Sequence, residues 1–349
     1  VSGPQQETLS EMLGGLRLAL HVQTVVSLLP PPITAAAAAA AARDAAAAAG
    51  GSGRGGASRT GTGAGGGGAG AGDGAGTSRA SSSEEYCDAL RPLQVVDVAD
   101  LRNMSHAYAS TTSTEVQPKA RMSRLAKELA GLQQLLPLSE CSSIIVRVDE
   151  ENVTLWRAAI FGPEDTPYSA GCFVFDMYFP PNYPSVPPQV QFKTTGGGRI
   201  RFNPNLYNNG KVCLSLLGTW EGNRGEGWNA QASSALQVLL SIQSLILVPE
   251  PYFNEPGYER AHNSDEGRRI SRDYNKDITE GTLRYAMIDI LQHPPKELEA
   301  AVKVHFKLRR QFILDMTAKW ITDAEVWNKV HAATLSGLRD KLKELLDKL

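Results

Sequence analysis

The chain has 349 residues, room for one or two domains with tails. Its 35 lysines and arginines nearly balance 37 aspartates and glutamates, and a net charge of −2 makes no case for nucleic acid or an anionic membrane as main partner. Cys87, Cys141, Cys172 and Cys213 stand far apart without a CxxC pair, so the sequence predicts no disulfide framework, metal site or cofactor and fits a reducing, cytoplasmic setting.

In chain order, an opening on Val1 reads as a piece of something longer. Leu9, Met12, Leu13, Leu16 and Leu20 recur at helical spacing until Pro30-Pro31-Pro32, so residues 1–34 read as the end of a helical region. The apolar run 16–29 is broken by Arg17, His21, Gln23 and Thr24, which makes it too short and too polar to span a membrane. Residues 35–117 read as a linker: Ala, Gly, Ser and Thr dominate up to residue 80, and residues 81–117 are polar with no clear period.

Order is expected from Pro118. Met122, Leu125, Leu129, Leu132 and Leu136 form the apolar stripe of an amphipathic helix, with Lys119, Arg121, Arg124 and Lys127 on its other face. Strand signals follow in SIIVRVD, TLWRAAIFGP, GCFVFDMYFP and QVQFKT, with Phe173, Phe175, Met177 and Phe179 alternating inward. After the Cys213 segment comes an apolar helix, 233–247, with Ser233-Ser234 offering an N-cap. An N-terminal helix, a four-stranded meander and C-terminal helices make an α+β fold over 118–290, and 291–349 reads as a helical C-terminal extension. Leu335, Leu338, Leu342, Leu345 and Leu349 at 3–4 spacing suit packing on the same domain, with a homodimer through these helices as the minority reading.

NPNLYNNGKVCLSLL, residues 203–217, carries the chemistry. Asn208-Asn209-Gly210 signals a tight turn just before Cys213, and Asn205 stands eight residues before the cysteine. A lone cysteine in an apolar run is by default a core residue. Between Pro118 and Ala261 there is no histidine, so a Cys–His hydrolase lacks its base. A thiol with a pKa of about 8.5 is a few per cent thiolate at neutral pH. That fraction serves if the cysteine accepts an acyl group already activated as a thioester and hands it to an amine. A side-chain amide nearby would stabilise the oxyanion.

At this point the residues resemble the ubiquitin-conjugating enzyme family. YPSVPP (Tyr183–Pro188), NPN ahead of GKVCLSLL, Trp228 and the helix followed by PEPYFNEP occur in the family's order, over about residues 118–290. PYFNEPGYER, GTWEG and the long extension look like the very large members that combine conjugation with ligation, those of the giant inhibitor-of-apoptosis type. The resemblance implies that Cys213 takes ubiquitin as a thioester from an activating enzyme and passes it to a lysine of a protein substrate. It implies that Asn205 orders the adjacent loop and stabilises the oxyanion. Asn254 and Glu255 fall where the family gates the incoming lysine, and Lys119, Arg121, Arg124 and Lys127 where it meets the activating enzyme. Three departures stand out: Asn203 replaces the usual His, Ser185 a common Phe, and the Gly-rich insertion before Trp228 is long. Alternatives are conjugation of another ubiquitin-like modifier and a catalytically silent ubiquitin-binding scaffold.

Overall fold

The computed structural model describes residues 83–112, 118–220 and 227–349. The helix expected within 1–34, the linker up to residue 82 and the insertion at 221–226 lie outside the described residues. The expected linker does not extend to residue 117. Residues 83–90 are helical, with Tyr86 and Leu90 buried. Strand β1 (Val95–Val98) follows and pairs in parallel with β2 (Ile144–Asp149).

β3 (Leu155–Phe161), β4 (Cys172–Tyr178) and β5 (Gln189–Phe192) continue from β2 as antiparallel neighbours, giving a sheet in the order β1–β2–β3–β4–β5. The sheet therefore has five strands, four of them the expected meander. The extra one is held on the side away from β3, where Val146 N donates to Gln94 O at 2.7 Å and the Gln94 side chain donates to Leu136 and Pro137 carbonyls, both at 3.2 Å.

Every residue of β2, β3 and β4 is buried. Successive side chains point to opposite faces, so these strands carry two cores. On the inner face Val146, Trp156, Ile160, Phe173, Phe175 and Met177 join Leu125 and Leu132 of α1 (Lys119–Leu135) and Val238, Leu239 and Ile242 from α2 (Ala235–Ser241) and the π-helical turn that continues it. The outer face, Ile145, Ala159, Phe161, Cys172 and Val174, is covered by the C-terminal extension. That extension is α4 (Glu299–Leu308), α5 (Arg310–Trp327) and α6 (Lys329–Leu346), reached through α3 (Asp265–Gly281) and its π-helical continuation Thr282–Asp289.

Local chemistry sets these helix ends. α1 stops because Leu136 precedes Pro137 and is driven to extended backbone, φ −67° and ψ 138°. α2 starts in a capping box between Ser234 and Gln237, and Ser264 and Asn328 cap α3 and α6. The leucine stripe of α6 packs inward: Leu335, Leu338 and Leu342 are buried in the outer core, with Leu345 and Leu349 against it. The stripe is therefore occupied by its own domain and is not open to carry the homodimer considered from sequence.

A buried ionic cluster binds the three parts of the chain. Arg157 Nε donates to Asp176 at 2.6 Å, and its Nη1 donates to Glu297 of the extension at 2.5 Å and to Met104 O of the leading segment at 3.0 Å. Asp176, wholly buried, also accepts from Ala107 N at 2.8 Å. Arg147 donates to Leu93 O at 2.8 Å and Glu297 O at 2.7 Å. Tyr86 Oη lies 2.8 Å from His305 Nδ1, whose Nε2 is 3.0 Å from Ala170 O. A carbonyl can only accept, so Nε2 carries the proton and the tyrosine donates.

Candidate functional site

Cys213 sits in a short hairpin built by its own sequence. Asn203 Oδ1 accepts from Asn205 N at 2.8 Å, and Leu206 N donates to Asn203 O at 2.9 Å, closing a turn around Pro204. The chain reverses at Asn208-Asn209-Gly210, where Gly210 has φ +86° and a Cβ would meet Phe192 O at 2.5 Å. Leu206 pairs with Val212, both buried, and Tyr207 N donates to Lys211 O at 3.0 Å.

Two hydrogen bonds pin Cys213 across this hairpin. Its N–H donates to Asn205 O at 2.9 Å, and Asn205 Nδ2 donates back to Cys213 O at 3.0 Å. On the far side Thr219 Oγ1 accepts from Leu214 N at 3.0 Å and donates to Val212 O at 2.7 Å. Asn205 Oδ1 is buried without a hydrogen-bond partner, an acceptor left open beside the cysteine. Cys213 is 2 % exposed. Among the described residues no imidazole is hydrogen-bonded to it. His106 bonds Trp156 O, His262 lies 2.9 Å from Glu250, and His331 pairs with Glu280.

Asn203, in place of the family's histidine, is fully buried and gathers the neighbourhood. Its Nδ2 donates to Ile246 O at 2.8 Å and to Tyr168 Oη at 3.2 Å. Asn254 joins it: its Nδ2 lies 3.4 Å from Asn203 Oδ1 and donates to Leu245 O at 2.9 Å. Asn254 is thus a tie between the π-helical turn that follows α2 and the Asn203–Leu206 turn. Glu255 projects beside it and pairs with Arg201 at 3.4 Å, both about two-fifths exposed.

The four basic residues expected on one helix face divide. Arg121 is fully buried and donates to Phe179 O at 2.9 Å, because α1 turns that side toward the sheet; it is not part of an exposed patch. Arg124 is half-buried, bonded to Glu128 at 2.5 Å and to the carbonyls of Ala230 at 3.2 Å and Ser233 at 2.5 Å. Lys119 and Lys127 are exposed. Glu128 also accepts from Tyr183 Oη and from Ala235 N, so this cluster fixes the Tyr183–Pro188 loop to the helices, with Trp228 Nε1 donating to Pro184 O at 2.7 Å.

Cys172 is a core residue, its thiol pushed up to about 12 by burial, and all four cysteines are free thiols. Among the described residues no group of His, Cys, Asp or Glu is placed to hold a metal, and no helix is long and apolar enough to cross a membrane. Sequence reading missed Arg201, Tyr207 and Lys211. Arg201 lies 4.2 Å over the Tyr207 ring and Lys211 Nζ 5.6 Å from it.

The α+β domain thus fixes Cys213 by its main chain, with the side-chain amides of Asn203, Asn205 and Asn254 gathered around the same turn. Residues 124–280 match the ubiquitin-conjugating enzyme family, and this part of the chain belongs to it. The dual E2 ubiquitin-conjugating enzyme/E3 ubiquitin-protein ligase BIRC6 of Homo sapiens is 47 % identical over 246 residues, 68 % of this chain and 5 % of that protein. Its Mus musculus counterpart is 46 % identical over the same length, and "Probable ubiquitin-conjugating enzyme protein 17" of Caenorhabditis elegans is 49 % identical over 201 residues, 58 % of this chain and 28 % of its own. The chain spans 5 % of the length of the two BIRC6 relatives.

Proposed function

We propose that the chain accepts ubiquitin from an activating enzyme as a thioester on Cys213 and transfers it to a lysine of a protein substrate. The observation that carries this is the reciprocal bridge between Asn205 and Cys213, in a segment of the conjugating-enzyme family. The bridge fixes the backbone of the sulfur-bearing residue, and an Asn205 amide tied to that residue supports a role as oxyanion donor. An activated thioester needs no resident base to make thiolate. What it needs is a deprotonated amine, and Glu255, paired with the Arg201 that bonds Pro204 O, is the carboxylate offered to steer one. Because Cys213 is 2 % exposed, loading requires the loops around it to part. Lys119 and Lys127 are the charges available to the activating enzyme. Direct substrate ligation follows the combined activity in the name of BIRC6.

The test is a charging assay with activating enzyme, ATP and ubiquitin on the wild type, Cys213→Ala and Cys213→Ser. A reductant-sensitive adduct, absent in Cys213→Ala and reductant-resistant in Cys213→Ser, is the expected result. No adduct with ubiquitin, or one that persists in Cys213→Ala, rejects the proposal.

A further inference from the structure

Between Met177 and Trp220 the sequence holds no aspartate or glutamate, yet it holds Lys193, Arg199, Arg201 and Lys211, all exposed. This acid-free stretch is the one that wraps Cys213. Two of its cations are brought together on the catalytic hairpin. Tyr207 and Lys211 face each other across its strands, and Lys211 stands two residues before Cys213, on the same face of the chain. The intervening Val212 turns into the core. Two residues of extended chain separate Lys211 from Cys213 by about 7 Å.

Arg201 is held in place over the same ring. Its Nη2 donates to Pro204 O at 2.5 Å, its guanidinium stacks 4.2 Å from the Tyr207 centroid, and Glu255 takes part of its charge. Lys211 has no carboxylate partner among the described residues. Two like charges 4.2 Å and 5.6 Å from the centre of one tyrosine ring repel each other, and the ring only partly offsets that. An anion docking between them would relieve it.

We infer that Arg201, Tyr207 and Lys211 form a subsite that selects acceptor lysines flanked by aspartate or glutamate within about two residues. The inference rests on Cys213 being the transfer site. The acceptor's acidic side chain lies against Lys211 and the Arg201 edge while its lysine extends along the hairpin to the thioester. Glu255, already paired with Arg201, is left to the lysine and not to the acid. No bond is made or broken at the subsite; it acts on the choice of acceptor.

The experiment uses the full chain preloaded with ubiquitin on Cys213. It follows single-turnover discharge to two lysine peptides that differ only in flanking residues, glutamates or lysines, each rate divided by that variant's discharge to free lysine. The wild type is expected to favour the acidic peptide roughly five- to tenfold, the size of one to two exposed ion pairs. Lys211→Glu is expected to bring the ratio to one or below, and raising salt from 50 to 500 mM to shrink the wild-type ratio. Charging by the activating enzyme shows that each variant is folded. A wild-type ratio near one, or a ratio unchanged in Lys211→Glu, overturns the subsite while leaving Cys213 transfer standing. Failure to charge at all rejects the reading of Cys213 instead.

Discussion

Ending the chain after residue 290 removes α4 to α6 and strips the outer face of the sheet. The family match stops at residue 280, so such a piece looks like a complete conjugating domain from sequence. The structure says otherwise. Ile145, Phe161 and Val174 would go from 0, 1 and 3 % exposed to open water, together with Leu283 and Met287 on the π-helical turn. Uncovering three large apolar side chains costs roughly 5–9 kcal/mol, taking about 1.5–3 kcal/mol for each. A whole domain has only about 5–15 kcal/mol of net stability. Arg157 would also lose Glu297, and Arg147 its carbonyl partner at 2.7 Å. The shortened protein should associate on a sizing column and lose its cooperative urea transition, followed by fluorescence of the buried Trp156. A monomer that unfolds at the full-length urea midpoint would show that the extension is an appendage and that the two-core description is wrong.

Three shorter tests probe other parts of the molecule. Arg157→Leu leaves Asp176 buried without its bidentate partner and should cost about 3–5 kcal/mol in urea unfolding, whereas a loss under about 1 kcal/mol would deny the cluster its role. Burial pushes His305 from its ordinary 6.5 down to about 3. Between those values the unfolded chain binds a proton that the folded chain refuses, so stability falls as pH drops from 6.5 to 3; His305→Gln should flatten that slope, and parallel curves would sink the assignment. Asn205→Ala should slow transfer to lysine by about 10²–10³ while loading of Cys213 falls far less; equal losses would leave Asn205 a purely structural tie.

The inner core and the turn before Cys213 were legible because each leaves a local mark. Phe173, Phe175 and Met177 alternate, Ser234 begins a capping box, and Asn208-Asn209-Gly210 makes the reversal that its residues demand. β1 leaves no such mark. Its four residues are half-buried, its partner β2 lies some fifty residues on, and its neighbours Gln94 and His106 bury polar groups only by bonding the distant carbonyls of Leu136, Pro137 and Trp156. Arg121 misled for a similar reason. A helical wheel separates charged from apolar positions, but it cannot show that Phe179 O lies at the end of one arginine's reach. The consecutive apolar residues Ile144, Ile145 and Val146 of β2 and Ala158 to Phe161 of β3 did contain the missing information. A strand apolar at successive positions is covered on both faces, and the second cover had to come from the helices after residue 290.

The cations on the hairpin bear on the reacting lysine as well as on its neighbours. A free amine attacks a thioester and an ammonium does not, so the site gains rate by disfavouring the charged form. Glu255 alone would do the opposite, since a carboxylate beside an ammonium raises its pKa. In the structure that carboxylate is 3.4 Å from Arg201, and Lys211 adds a second positive charge with no carboxylate partner among the described residues. One unit charge about 7 Å away is worth roughly half a pH unit even at the dielectric constant of water. Reversing Lys211 to Glu changes two units of charge, so the pH–rate profile for discharge to free lysine should move up by about one unit. The acceptor amine would then need a higher pH to lose its proton. A midpoint that stays put or moves down would mean that the amine reaches Cys213 from outside the field of this hairpin, and that Arg201 and Lys211 serve folding or acceptor choice alone.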